Sequence, residues 1–147
     1  MIYTANVVYN SFKGKIMDGS IDLDTDTIKV VLVTSSYTPD IDSHTQYSHI
    51  TNQVVGDGYT AGGATLGSAA VSVNTTDDRG EFDAADVTWS NSTITARGAI
   101  LYKYIDNAGS PADTSPLICY FDFTEDKVSS NGDFTIQWHA NGILNLS

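Results

Sequence analysis

The chain is poor in basic residues. Seven lysines and arginines stand against eighteen aspartates and glutamates, a formal net charge of −11. The seven (Lys13, Lys15, Lys29, Arg79, Arg97, Lys103 and Lys127) are scattered along the sequence. Recognition of nucleic-acid phosphates needs such residues gathered in a patch, so DNA, RNA and anionic lipid are poor direct partners. The acidity has a plain account, solubility, and a sharper one, a complementary basic partner. Cysteine is nearly absent. Cys119 stands alone inside the apolar run Pro116-Leu117-Ile118-Cys119-Tyr120-Phe121, so no internal disulfide can form. A lone Cys in a strand is more often a small core residue than a nucleophile, and the expectation is synthesis in a reducing cytosol. No apolar run reaches the roughly 18 residues that a membrane-crossing helix needs. Met1 to Asn6 lack the basic start and long apolar stretch of a secretory signal.

What the chain does contain is enough apolar material for a core. It has 147 residues, of which 41% are hydrophobic. A domain of this size buries about two-thirds of its unfolded surface. One domain over 1–147 is the expectation. Asn6 to Gly19 reads as the single helix, because Val8, Phe12 and Ile16 recur at i, i+4 and i+8 and Gly19 can stop it. Ile28 to Thr34 reads as a strand apolar on both faces near its middle, hence central. Further strands are expected at Ala69–Asn74, Glu81–Asp83, Val87–Trp89, Thr93–Tyr104, Pro116–Phe123 and Phe134–Leu146. In the last run Phe134, Ile136 and Trp138 alternate with Thr135, Gln137 and His139, which places the apolar set on one face. Asn141-Gly142 predicts a bulge or bend that splits it. Thr75 to Gly80 reads as a hairpin turn, and Ile105–Ser115 and Thr124–Gly132 as loops. Asp40 to Asn52 has no clear period beyond a short helical turn. Gln53 to Gly67 is glycine-rich and reads as a loop. Many short strands between turns predict a mainly β fold, an antiparallel β-sandwich with one short N-terminal helix. Val30, Leu32, Ile100, Ile118, Phe134, Ile136 and Trp138 are expected in the core.

Few residues form a chemical constellation. Asp22, Asp24 and Asp26 resemble the first half of a calcium loop, but Thr27 and Val33 stand where that loop needs Gly and Glu. A polar turn is the better account, as it is for Asp77-Asp78 and Asp83/Asp86. His44 and His49 are five apart near Asp40 and Asp42, and His139 lies far off; the three could gather on a metal, but the spacing is not diagnostic of one. The glycine-rich segment lacks the Lys-Ser/Thr ending of a phosphate loop. Its glycines serve turning, or allow the backbone of a partner to approach closely. Trp89, Trp138, Tyr102, Tyr104, Tyr120, Phe121 and Phe123 read as packing residues rather than as a sugar platform. No nucleophile–base pair can be named. The expectation is a non-enzyme with no catalytic residue, metal or cofactor.

Val8-Tyr9-Asn10-Ser11-Phe12-Lys13, Ile21 to Val30, Ser36-Tyr37-Thr38-Pro39, Gly58-Tyr59-Thr60-Ala61-Gly62-Gly63, Phe82 to Trp89 and Gly132 to Trp138 carry a resemblance. Together they resemble small structural (virion) proteins of tailed bacteriophages and prophages. The sandwich is expected to be of jelly-roll-like or immunoglobulin-like type. The resemblance implies a capsid decoration (cement) protein that binds the outer shell and stabilises it. The alternative is a tail or tail-tip component, in head–tail structure or in receptor or carbohydrate recognition. Its partner would be the major capsid protein, with self-association into a homo-oligomer left open. Its location would be the virion, after synthesis in the host bacterial cytoplasm. Contact is expected through Met1–Thr4, Asp40–Asn52 and Gly56–Gly67, whose Tyr3, Tyr47, Ile50 and Tyr59 are the candidate partner-contact residues. Tyrosine suits interfaces because its ring buries area while its hydroxyl keeps a partner.

Because the Asp22/Asp24/Asp26 turn lacks its completing ligands, treatment with a chelator is expected to leave the melting temperature unchanged. A fall of many degrees, reversed by calcium or zinc, contradicts this reading.

Overall fold

Burial alternates from Val87 to Arg97 with one slip at Ser90-Asn91, then is continuous from Gly98 to Tyr102, and the whole segment Val87–Lys103 is one strand, β7. Leu117–Trp138 forms an equally continuous partner, β10, antiparallel to it. The computed structural model describes residues 5–147 in full and Ile2–Tyr3 as backbone. The other strands are β1 (Ile2–Tyr3), β2 (Val7–Val8), β3 (Ile28–Val33), β4 (Ala64–Thr65), β5 (Ala70–Asn74), β6 (Arg79–Asp83), β8 (Asp106–Asn107), β9 (Ser110–Pro111) and β11 (Leu144–Leu146). Among the described residues one α-helix, α1, spans Asn10–Met17, and Tyr47–His49 make a single 3-10 turn. The fold is mainly β, with 48% of residues in strands against 8% in helix.

The main sheet runs β1-β10-β7-β3-β4, with β2 also on β10. Its pairings are antiparallel except β1–β10, which is parallel, with Ile2 opposite Gln137. A three-stranded sheet, β11-β6-β5, and the small hairpin β8-β9 complete the pairing. The main sheet is apolar on both faces, as the β3 sequence predicts. Ile28, Val30 and Leu32 look into the larger cluster, with Leu101, Phe121, Phe134, Ile136 and Trp138. Phe12 from α1 and Phe82 from the small sheet belong to that cluster, so both elements pack on this face and the arrangement is sandwich-like. Val31 and Val33 look the other way, into a cluster with Tyr9, Tyr37, Ile100, Tyr102 and Tyr120. All seven expected core residues are buried.

Several boundaries differ from the sequence reading. The helix begins at Asn10, not near residue 7. Val7 and Val8 instead pair with Tyr120 and Cys119 as β2, so Val8 reaches the core from a strand while Phe12 and Ile16 do so from the helix. Thr124–Gly132 is not a loop. It continues β10, with Lys127, Val128 and Ser129 paired to Ala96, Thr95 and Ile94. The register shifts on both sides of this stretch, and Thr124 and Asn131 take positive φ of 67° and 48°. Extra residues of this kind kink a ladder without ending it, and their polarity imitates a loop. Ser129 and Ser92 repair the damage from inside. Their buried hydroxyls meet at 2.8 Å, and the Ser129 oxygen accepts the Ile94 N–H. Asn141-Gly142 does split the last run, with Gly142 at φ 92°.

The glycine-rich segment approaches a backbone closely, but the backbone is its own. A Cβ on Gly63 would lie 1.8 Å from the Val30 carbonyl oxygen, and one on Gly56 would lie 2.2 Å from that of Thr93. Gly63 also has φ +73°, a conformation costly for other residues. Gly14, in the middle of α1, has nothing within 4 Å. The two sites predict opposite signs. Gly63→Ala is expected to destabilise by about 2–5 kcal/mol, from overpacking plus left-handed strain. Gly14→Ala is expected to stabilise by about 1 kcal/mol through helix propensity. Urea denaturation of the two variants checks both.

Candidate functional site

The segments expected to meet a partner, Asp40–Asn52 and Gly56–Gly67, are fixed to the sheet by polar side chains. Gln53 is the hub. It continues the outer side of β3 through a bridge to Val33. Its Oε1 accepts the Tyr59 hydroxyl at 2.9 Å and the Gly62 N–H at 2.8 Å, and its Nε2 donates to the Tyr47 hydroxyl at 3.0 Å. The Tyr59 hydroxyl in turn accepts the Leu32 N–H at 3.0 Å, on an edge position of β3 that no strand covers. The Tyr102 hydroxyl donates to the Gly62 carbonyl at 2.6 Å. Tyr47 leans on Tyr102, with ring centroids 5.1 Å apart. Tyr47 and Tyr59 are therefore half-buried fasteners, and Ile50 is half-buried against the Tyr9–Tyr102 cluster. The side chain of Tyr3 lies outside the described residues, as do Met1 and Thr4.

A second set fastens residues 37–44. The Asp40 N–H donates to His44 Nδ1 at 3.2 Å, so that nitrogen is an acceptor and carries no proton. The Tyr37 hydroxyl must then donate to it, at 2.8 Å, and the Tyr9 hydroxyl donates to Tyr37, also at 2.8 Å. Tyr9 is fully buried. The chain of hydroxyls thus runs from the core to the half-buried His44. His49 Nδ1 accepts the Thr45 N–H and His139 Nδ1 the Asn141 N–H, so all three histidines close turns. Asp22, Asp24 and Asp26 also bind backbone: Asp26 accepts the Asp22 N–H, Asp22 the Asp24 N–H, and Asp24 the Val71 N–H. Asp26 pairs with Lys103 at 3.0 Å.

Two open depressions lie on this side of the molecule. The larger, about 540 Å³, runs between the Val55–Asp57 turn and the outer faces of β7 and β10. Hydroxyls of Thr34, Thr93 and Thr95, carboxylates of Asp57 and Asp126, and the methyls of Val55 line it. Val55 is 96% exposed there. The smaller, about 350 Å³, holds Tyr37, Tyr120 and the Arg97–Asp122 pair. The Arg97 guanidinium, 2.8 Å away, holds the Asp122 carboxyl below the usual carboxylate range. Both surfaces offer hydrogen bonds and modest apolar area. Cys119 is fully buried, and burial pushes its thiol up, away from reactivity. Among the described residues, no three His, Cys, Asp or Glu side chains converge where an ion could sit. Every described Phe, Trp and Tyr ring is buried or half-buried, so none forms an exposed platform for a sugar ring.

The sequence reading missed Gln53 and Tyr37. An isolated Gln in a loop carries no periodic signal, and Tyr37 stands in a turn where burial is not expected. Comparisons with protein-family models, with curated proteins and with solved structures return no match.

Burial raises the pKa of Tyr9, Tyr59 and Tyr102 above that of free tyrosine. Each hydroxyl is neutral in the fold and ionises more readily once unfolded. The stability they contribute is present below the ordinary tyrosine pKa of about 10 and is lost as pH rises above it. Tyrosinate absorbance from these residues is expected to grow only in step with the loss of circular dichroism. Full ionisation of a still-folded chain contradicts the fastening.

Proposed function

We propose that this chain is a non-enzymatic structural protein of a tailed-bacteriophage virion, seated on the outside of the capsid as a decoration (cement) protein. The observation that carries the structural reading is the fastening of the loop face. Tyrosine, histidine and glutamine groups capable of chemistry are spent on holding residues 37–63 to the sheet. A surface ordered before its partner arrives loses little entropy on docking. That suits a protein whose work is interface burial and hydrogen bonding. The choice of virion and shell rests on the resemblance of the six segments named above. The scattered basic residues agree with an exterior position where DNA is not contacted.

On this reading the function is mechanical. Copies of the chain bridge neighbouring shell subunits against the pressure of packed DNA. Each contact can be small, because many copies on one shell act together. The major capsid protein is the proposed partner, and the depression lined by Val55, Thr93 and Asp126 is the proposed face.

Particles made without this chain are expected to assemble but to lose DNA or rupture more readily on heating or at low salt. Adding back the purified chain restores them, and Val55→Lys, which places charge at the centre of the proposed face, restores them poorly. Particles that are equally robust without it but fail to adsorb to cells would establish the tail-tip alternative instead.

A further inference from the structure

The outermost strand of the small sheet is built unlike a protected edge. β5, Ala70-Val71-Ser72-Val73-Asn74, has no charge, no proline and no bulge, in a chain of net charge −11. Exposed edges are ordinarily blunted by one of these devices. Its backbone orientation follows from two bonds. The Val71 N–H reaches away from β6 to the Asp24 carboxylate at 3.3 Å. The Phe82 carbonyl, opposite Val71, accepts the Ile143 N–H on the β11 side. The Val71–Phe82 pair therefore turns its backbone groups apart, and so does the Val73–Gly80 pair two residues on. The N–H and C=O of Val73 face solvent at the free edge.

We propose that β5 pairs antiparallel with β5 of a second copy of this chain, about a two-fold axis at Val73. Two facing Val73 residues exchange both N–H···O=C bonds, the self-complementary contact a two-fold requires. Ser72 then stands opposite Asn74 of the other copy. Asp24 selects this register, because the alternative that pairs Val71 with Val73 needs the Val71 N–H that Asp24 already holds.

The side chains agree. Val73, Gly80 and Leu146 form one row across the three strands, and Val73 and Leu146 are 78% and 75% exposed. Pairing joins two such rows into one apolar band, Leu146-Gly80-Val73 meeting its symmetry mate. Two chains of charge −11 repel each other, yet nothing charged lies in the band. Of the acids beside it, Asp77 and Glu81 are both held by Arg79, at 3.3 and 2.7 Å, and Asp24 accepts the Val71 N–H at the end of the seam. The seam spans only Ser72–Asn74 of each β5, well short of the roughly 1,200–2,000 Å² of a standard stable interface. The dimer is accordingly weak, and salt strengthens it by screening the repulsion. The proposal holds whether or not the chain is a virion protein.

Sedimentation equilibrium of the purified chain, from micromolar to millimolar concentration at low and high salt, tests it. The expected result is a concentration-dependent dimer, favoured by salt. Val73→Pro removes an N–H that β6 does not use, so it is expected to keep the wild-type melting temperature and stay monomeric. Val73→Lys is expected to stay monomeric too, and covers the case in which the proline variant does not fold. Met17→Lys, at the exposed end of α1, dimerises as wild type does. In hydrogen exchange the Val73 amide slows as concentration rises. A wild-type chain that stays monomeric throughout leaves the edge to a strand of some other protein and overturns the proposal. So does a Val73→Lys or a folded Val73→Pro variant that dimerises as wild type does.

Discussion

A sheet that is apolar on both faces has to be covered twice. β3 sets this demand, with Ile28, Val30 and Leu32 on one side and Val31 and Val33 on the other. The first side is met by regular elements, the helix through Phe12 and the small sheet through Phe82. Among the described residues, no helix or sheet covers the second. There the cover is loop, and loop backbone carries polar groups that must find partners. Tyrosine answers both needs at once, with a ring for the cluster and a hydroxyl that reaches loop backbone directly, as Tyr102 does at Gly62, or through a side chain, as Tyr37 does through His44 and Tyr47 through Gln53. Tyr9, Tyr37, Tyr47 and Tyr102 serve this second face, while the Tyr59 hydroxyl satisfies the uncovered edge of β3.

The same accounting explains the long β7–β10 ribbon. Strands of 17 and 22 residues exceed the common length of about 5–6. A flat ribbon of that length could not follow a curved core. The register shifts let it bend, and the buried Ser92–Ser129 pair accepts the amide that the bend displaces. Burial of two hydroxyls costs little here because each is bonded.

The parts of the fold legible in the sequence are those with a period. The alternation of Phe134, Ile136 and Trp138, and the two-faced β3, place the core correctly. Local chemistry also reads well at Gly19 and Gly142, whose positive φ angles end an element as expected. What periodicity hides is the ladder that continues through polar residues, as at Glu125 and Asp126, because solvent-facing strand and loop have the same composition. Val7 and Val8 mislead in the other direction. They fit a helical spacing, yet β10 offers them a strand edge, and tertiary pairing overrides local preference. The site was less legible than the core. Tyr47, Ile50 and Tyr59 stand out in the sequence as aromatic or apolar groups in irregular segments, but the residues they pack on and bond to lie in distant sequence. Only the folded arrangement brings Gln53, Leu32 and Tyr59 together.

The placement of β2 and β1 beside β10 has a kinetic consequence. Elements from the start of the chain wait for a strand made much later, and β3 waits for β7. Such distant pairings close large loops before any contact rewards them, and they fold slowly. Until β7 and β10 have formed their hairpin, β3 presents apolar side chains on both sides with nothing to shield either. The hairpin is thus the natural nucleus, and the interval before β3 docks is when this chain is most exposed to aggregation.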